Sequence, residues 1–296
     1  MISILIPIYN VDITELVTDL CDQAKQLIDE KFEILCLDDC STNTTIKQLN
    51  TLISKLDLVK YSELNENVGR GNIRMLLAKK AKYETLIFLD CDMKIVSSNY
   101  LQKFVEHKAK KVVIGGITYS NNRPENPDFL LRWKYGIQRE KKSASERNRM
   151  RFSHFVASNL LINKKIFLSL PVDNDIVGYG HEDTLLGLKL LKMGTPLSHI
   201  DNPLEHLGLD TAVTFIEKSK SGTSNLATLF SKRICGPEIR LISVYESLHA
   251  IGLSKFVFHI IKPFISLIEK SLKGRNPNIR LFDIWKLFYF MKMYKY

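Results

Sequence analysis

Apolar positions in the first ninety residues alternate between two rhythms. Short apolar runs at 2–8, 32–37, 58–61 and 84–89 are separated by stretches in which apolar residues recur every three or four positions. Leu16, Val17, Leu20, Ala24, Leu27 and Ile28 set that spacing over 14–30, and 45–56 and 72–82 repeat it. The runs read as buried strands and the periodic stretches as helices. Strict alternation of this kind argues an α/β fold around a mostly parallel sheet with right-handed crossovers. A helix over 99–108 and a strand over 111–117 continue it. The segment 119–152 is polar and basic, with one short helix suggested at 129–133, and a connection of that length is expected to form a lid or acceptor-side loop. Strand character returns at 154–162, 166–170 is helical, and 182–193 is an amphipathic helix closed by Gly194. A helix is expected over 211–219 and a flexible break over 221–225. From 226 onward the chain is apolar, basic and helical, with Leu281, Ile284, Trp285, Phe288 and Met291 on one helical face. The expected organisation is a domain over 1–225, divisible at 117/118, followed by an amphipathic helical region over 226–296.

Two of the apolar runs end in paired acids. The run at 84–89 leads into Asp90-Cys91-Asp92, and the run at 32–37 into Asp38-Asp39-Cys40-Ser41. The carboxyl ends of parallel strands are where open α/β sheets bind ligands. In extended backbone, Asp90 and Asp92 would point to the same side. Two carboxylates converging there repel unless a cation or donors stand between them, which makes a divalent metal the natural third party. Asp-x-Asp alone equally describes a polar turn at a strand end.

Composition narrows the partners. The 296 residues are 45% hydrophobic and 25% charged, with a net charge of +10. The surplus is concentrated: 231–296 holds twelve Lys or Arg against four Asp or Glu, and a second basic cluster runs from Arg132 to Arg151. No zinc-finger spacing or aromatic-interleaved pattern accompanies the charge, so nucleic acid is not the expected partner. Anionic lipid and phosphorylated ligands fit better. Five cysteines form no paired framework and read as reduced. No run is long enough to span a membrane, and 1–7 shows no secretory leader. A cytoplasmic protein is expected, peripheral at the inner membrane face, with 226–296 contacting lipid or forming a homodimer.

Four motifs then converge. Ser3-Ile4-Leu5-Ile6-Pro7-Ile8-Tyr9-Asn10, Leu37-Asp38-Asp39-Cys40-Ser41, Asn67-x-Gly69 and Leu89-Asp90-Cys91-Asp92 occur in an order and spacing that resembles family 2 glycosyltransferases of the GT-A fold, over roughly residues 1–210. The resemblance implies a nucleotide-sugar pocket lined by Pro7, Tyr9, Asp38, Asp39, Asn67, Arg70, Arg74, Asp90 and Cys91. Asp38 or Asp39 would read the uracil of a UDP-sugar, Asp90 would face the ribose or support the metal, and Asp92 would be a metal ligand. Ile73-Arg74-Met75 stands where the family often has Ala-Arg-Asn.

Gly178-Tyr179-Gly180-His181-Glu182-Asp183 resembles the Gly-Trp-Gly-Gly-Glu-Asp segment of β-galactosyltransferase-like enzymes. By that likeness Asp183 is the general base and Glu182 bonds donor or acceptor sugar, with Tyr179 and His181 on the acceptor side. Two acids at a helix start are also favoured by the dipole. Trp133, flanked by Arg132, Lys134 and Tyr135, either lines the acceptor side or anchors the lid. His206, about twenty residues further on, matches a position where related transferases supply a metal ligand; imidazole favours Mn²⁺ over Mg²⁺. His199 is a weaker substitute, and His107, His154, His249 and His259 read as structural. The expectation is an inverting, metal-dependent transfer of a hexose or N-acetylhexosamine from a UDP-sugar to a glycan or lipid-linked acceptor. Its rivals are a catalytically silent glycan-binding scaffold and a sugar nucleotidyltransferase, the latter expecting a glycine-rich basic loop that 8–12 does not offer.

Overall fold

The computed structural model of the chain describes residues 1–149, 151–170 and 180–294. Among them the chain begins β1 (Ile2–Ile8), α1 (Thr14–Gln26), β2 (Phe32–Asp38), α2 (Thr44–Thr51), β3 (Val59–Glu63), α3 (Arg70–Lys80) and β4 (Thr85–Leu89). It continues with β5 (Met93–Ile95), α4 (Tyr100–Glu106), β6 (Val112–Ile114), β7 (Ile117–Thr118), α5 (Leu130–Tyr135), α6 (Ala144–Arg149), β8 (Asn159–Asn163) and α7 (Lys164–Ser169). Then follow α8 (Glu182–Lys192), β9 (Ser198–His199), β10 (Leu204–His206), α9 (Ala212–Ser231), α10 (Arg240–Ala250), α11 (Ser254–Ile261), α12 (Ile265–Leu272) and α13 (Ile279–Tyr294). Two units result: Met1–Thr118 with Lys142–Asp173 and Lys189–Gly208, and Tyr119–Lys141 with Asn174–Leu188 and Leu209–Tyr296.

In the first unit the strands order as β3-β2-β1-β4-β8-β6-β9, with β5-β10-β7 as a small separate sheet. β1, β2, β3 and β4 are mutually parallel, as the alternation predicts. β8 differs: it runs antiparallel to both β4 and β6. Ile2, Ile4, Ile6 and Ile8 alternate onto one face of the sheet, where they join Ile34, Cys36, Ile87 and Leu89 and the inner sides of α1 and α4 in a continuous apolar core. Each such fully buried aliphatic side chain contributes roughly 1.5–3 kcal/mol relative to exposure. The central strand β1 contains Pro7, which has no N–H to donate. Its pairing with β4 ends at Leu5↔Phe88, two residues before the proline, while its pairing with β2 continues to Ile8↔Asp38. Strand order reverses between β1 and β4, so the ladder parts at the sheet's topological switch point, beside Asp90.

The second unit is helical. Trp285, Phe282, Phe290 and Met291 of α13 are fully buried with Leu226 and Leu229 of α9 and Ile242 of α10. Trp285 and Tyr289 both donate to Glu269 of α12, at 2.9 and 3.0 Å. The aromatic residues of α13 are therefore core, and of the apolar face Leu281, Ile284, Trp285, Phe288 and Met291, Ile284 is the member left exposed. The flexible break expected at 221–225 is also overturned, because α9 runs through it. Gly222 sits there as a point of close approach to Gly180.

Two arginines of the basic cluster at 132–151 prove internal. In the second unit Arg132 is buried and donates to the Glu140 carboxylate at 3.1 Å and to the Tyr119 hydroxyl at 2.7 Å, with Tyr119 in turn hydrogen-bonded to Glu140. In the first unit Arg147 is buried and donates to the carbonyls of Gly115 and Ile200 at 3.0 and 2.7 Å and to His199 Nδ1 at 2.9 Å. That contact engages His199 within the scaffold.

Candidate active site

The loops at the carboxyl edge of β1 and β2 are built by their own acids. Asp38 is fully buried and accepts from the backbone N–H of Ser41 at 2.6 Å and from the Tyr61 hydroxyl at 3.3 Å. Asp39 accepts from the N–H groups of Val68 and Gly69 at 2.7 and 3.0 Å, while Asn67 donates back to the Asp39 carbonyl at 3.0 Å. Gly69 has φ +81 and ψ 164, a conformation for glycine, and it opens α3. Asn10 closes the other side. With φ +56 it accepts from the N–H groups of Thr42 and Asn43, both at 2.9 Å, and its own N–H donates to the Ser41 hydroxyl. The expected base-reading acids thus fix the loop, and the lone pairs left on their carboxylates are what a ligand can still use.

Residues 91–92 form a turn, with β4 ending at Leu89. Asp90 and Asp92 therefore do not follow strand alternation, and each has its own partner. Asp90 accepts from Arg74 Nη2 at 2.5 Å. Burial would raise its pKa, but Arg74, joined by Arg70 and His206, outweighs that and holds the carboxyl below the usual range. Arg74 is buried on α3, whereas Arg70 at the start of that helix is exposed. The Cys91 thiol is pushed up to about 12 by burial and then by Asp92, so it remains protonated and is no nucleophile. Tyr9 is half exposed at the mouth of the same edge.

Asp92 meets His206 through the small sheet. β10 pairs antiparallel with β5 in a register that sets His206 opposite Met93, the residue after Asp92. His206 Nε2 lies 3.4 Å from Asp92 Oδ2. The Leu207 N–H donates to the Asp92 carbonyl at 2.9 Å. Gly208 leaves room for the carboxylate: a Cβ there would fall 2.6 Å from Oδ2. Carboxylate oxygen and imidazole nitrogen at this separation fit one Mn²⁺-type cation. Among the described residues no three His, Cys, Asp or Glu side chains cluster around a common point, so further coordination would come from ligand oxygens and water.

In the second unit Glu182 and Asp183 occupy the first turn of α8. Gly180 has φ +107, and its N–H donates to Glu182 Oε2 at 3.1 Å. His181 has φ +73, so the residue standing in place of a glycine keeps a glycine-like backbone. Its Nδ1 lies 3.1 Å from the Thr184 hydroxyl, and burial followed by Lys286 lowers its pKa to about 4. Trp133 donates from its indole N–H to the Ser120 carbonyl at 2.8 Å, tying α5 to the segment before it. Tyr179 lies outside the described residues.

Sequence reasoning assigned no role to Asn10, Tyr61 or Gly208. Asn10 was visible inside its motif as a residue tolerant of positive φ. The other two act through contacts across 23 and 116 residues of sequence, to which no local signal points.

Comparison with known proteins adds identity to this geometry. The family model described as Glycosyl transferase family 2 matches residues 3–167. The poly(ribitol-phosphate) beta-N-acetylglucosaminyltransferase TarS of Staphylococcus aureus is 37% identical over 93 residues, 30% of this chain and 16% of that protein. A poly(ribitol-phosphate) beta-glucosyltransferase of Bacillus spizizenii is 33% identical over 143 residues, 44% of this chain and 22% of that protein. The match spans less than a quarter of either relative. Among solved structures, the mannosyltransferase PcManGT of Pyrobaculum calidifontis, in complex with GDP-Man and Mn²⁺, superposes with a TM-score of 0.54 over 97% of this chain and 84% of that one, at 14% identity. That likeness is one of fold.

Proposed function

The chain belongs to glycosyl transferase family 2, and from that premise we propose that it is an inverting, cation-dependent transferase that moves a hexose or N-acetylhexosamine from a UDP-sugar to a hydroxyl of a surface glycopolymer. The two relatives named above act on poly(ribitol-phosphate), which makes a polyol-phosphate chain the acceptor class and N-acetylglucosamine or glucose the sugar to test first. One observation carries the reading: the Asp92–His206 pair, 3.4 Å apart, stands next to an Asp90 held ionised by Arg74, where the ladder between β1 and β4 opens.

In this reading the acceptor hydroxyl attacks the anomeric carbon from the face opposite the diphosphate. The bond to the diphosphate oxygen breaks, its electron pair stays on the departing UDP, and Asp183 takes the hydroxyl proton. Asp92 and His206 would hold a divalent cation, which would supply charge stabilisation to the leaving diphosphate. Asp38 and Asp39 keep the base-binding loop in shape, with Asn67 and the Gly69 turn completing it. Glu182 orients a sugar hydroxyl.

The test is UDP release and product formation from UDP-N-acetylglucosamine or UDP-glucose with Mn²⁺ and a ribitol-phosphate oligomer. Asp92→Asn is expected to abolish the metal dependence, and Asp183→Asn to lower turnover by about 10²–10⁴-fold while preserving UDP binding. No turnover with any UDP-sugar, together with UDP binding indifferent to Mn²⁺, overturns the proposal.

A further inference from the structure

Helices α11 and α12, joined through the turn Lys262–Phe264, carry two apolar faces. The inner one is core: Phe258, Ile268 and Leu272 are buried, and Phe258 stacks on Phe288 at 4.8 Å. The outer one is not covered by the described residues. Phe256 is 62% exposed, Ile260 49%, Phe264 54% and Leu267 63%, and their spacing of four, four and three places them on one stripe. Ile251 and Leu253, also exposed, extend it into the loop before α11. Single exposed apolar residues are ordinary, but a contiguous stripe of six within seventeen residues marks an interaction surface.

The charges beside the stripe identify what it meets. Lys255, Lys262 and Lys270 recur every seven or eight residues along the same helices, and Lys273 follows; all are exposed. The acid within α11 and α12, Glu269, is turned inward to accept from Trp285 and Tyr289. The outer surface is therefore apolar and cationic, with no carboxylate of its own helices facing out. Two copies meeting through it would bring like-charged lysine stripes together. No single described helix is long and apolar enough to cross a membrane, and the pair that passes on composition, Arg240–Ala250 with Ser254–Leu272, is bent by 113°.

We infer that the outer face of α11–α12 docks this unit onto an anionic lipid surface, the helices lying in the plane of the interface with Phe256 and Phe264 inserted and the lysines at headgroup level. This inference does not rest on the transferase reading, since it uses none of the site's residues. The experiment is flotation of the full chain with phosphatidylcholine vesicles, with and without phosphatidylglycerol. Wild type is expected to float only with phosphatidylglycerol and to be released by salt. Phe256→Ser/Phe264→Ser is expected to weaken binding by about tenfold or more. Lys255→Gln/Lys262→Gln/Lys270→Gln is expected to remove the lipid preference. Both variants should keep the wild-type melting curve, because they alter exposed side chains. The inference is overturned if wild type binds neither vesicle or both equally, if the substitutions leave binding unchanged, or if the chain is a dimer that Phe256→Ser/Phe264→Ser dissociates.

Discussion

Gly208 lies so close to Asp92 that a Cβ at its position would fall 2.6 Å from the carboxylate Oδ2. The glycine therefore sets which way Asp92 points, and that direction is toward His206. In Gly208→Ala the atom obliged to move is the end of the Asp92 side chain, not backbone. Mn²⁺-dependent UDP binding is expected to weaken by about tenfold or more, the scale of disturbed ligand support, with little change in the melting temperature of the free protein. Titration calorimetry checks both; unchanged affinity would show that the orientation of Asp92 is irrelevant.

Arg74 and Asp90 form a largely buried ion pair at the carboxyl edge, with the arginine side chain 8% and the aspartate side chain 25% exposed. Arg74→Gln leaves a charged carboxylate in a site whose burial opposes ionisation. Removing one partner of a fully buried pair costs about 3–5 kcal/mol, and the partial exposure of Asp90 reduces this to roughly 1–3 kcal/mol. Urea denaturation should show that loss, and Arg74→Gln/Asp90→Asn should recover part of it. Equal losses in single and double variants would mean the pair is not coupled.

His181 gives the second unit a pH dependence of known sign. Its folded pKa, about 4, lies below the ordinary 6.5. The unfolded chain therefore takes up this proton first as the pH falls. The contribution of His181 is fully present above about 6.5 and is lost as the pH drops toward 4, amounting to about 2 kcal/mol at pH near 5. His181→Asn, which tolerates the same positive φ, should flatten the fall in melting temperature between neutral pH and pH near 5. Parallel curves for the two proteins would refute the assignment.

Gly180 and Gly222 approach each other, yet their substitutions should differ in sign. A Cβ on Gly222 would stand 3.9 Å from the Gly180 Cα, an ordinary contact, and Gly222 lies inside α9. Gly222→Ala is expected to stabilise by about 0.5–1 kcal/mol through helix propensity. A Cβ on Gly180 would stand 2.9 Å from the Gly222 Cα, at φ +107. Gly180→Ala is expected to destabilise by roughly 1–3 kcal/mol. Thermal melts of the two variants decide it, and destabilisation by Gly222→Ala would show that α9 packs more tightly there than an ordinary contact allows.

The first half of the fold was legible because it is locally encoded. Strands β1 and β2 are apolar runs each followed by a periodic helix, β4 is a third such run, and the acids at Asp38, Asp39, Asp90 and Asp92 mark strand ends. What each acid does was not legible, because its partners come from elsewhere: Val68 and Gly69 for Asp39, Arg74 for Asp90, Gly208 for Asp92. The orientation of β8 escaped for a related reason, since an apolar run between polar flanks reads the same in either direction. Hydrophobicity also misled where two apolar surfaces share a region. Trp285 and Phe288, on the apolar face read from the sequence, lie in the core, whereas Phe256 and Phe264 are exposed.

His206 reaches Asp92 on β10, a strand of three residues held in register against β5 and β7. More than a hundred residues separate the two in sequence. During synthesis Asp92 emerges long before its partner, so a partly made chain carries Asp92 without His206. On the function proposed above, the three-residue strand is a checkpoint in time: the pair is incomplete until the far end of the first unit has been made and zipped into place. Once it is, a cation held at both residues would close that long loop and oppose its reopening.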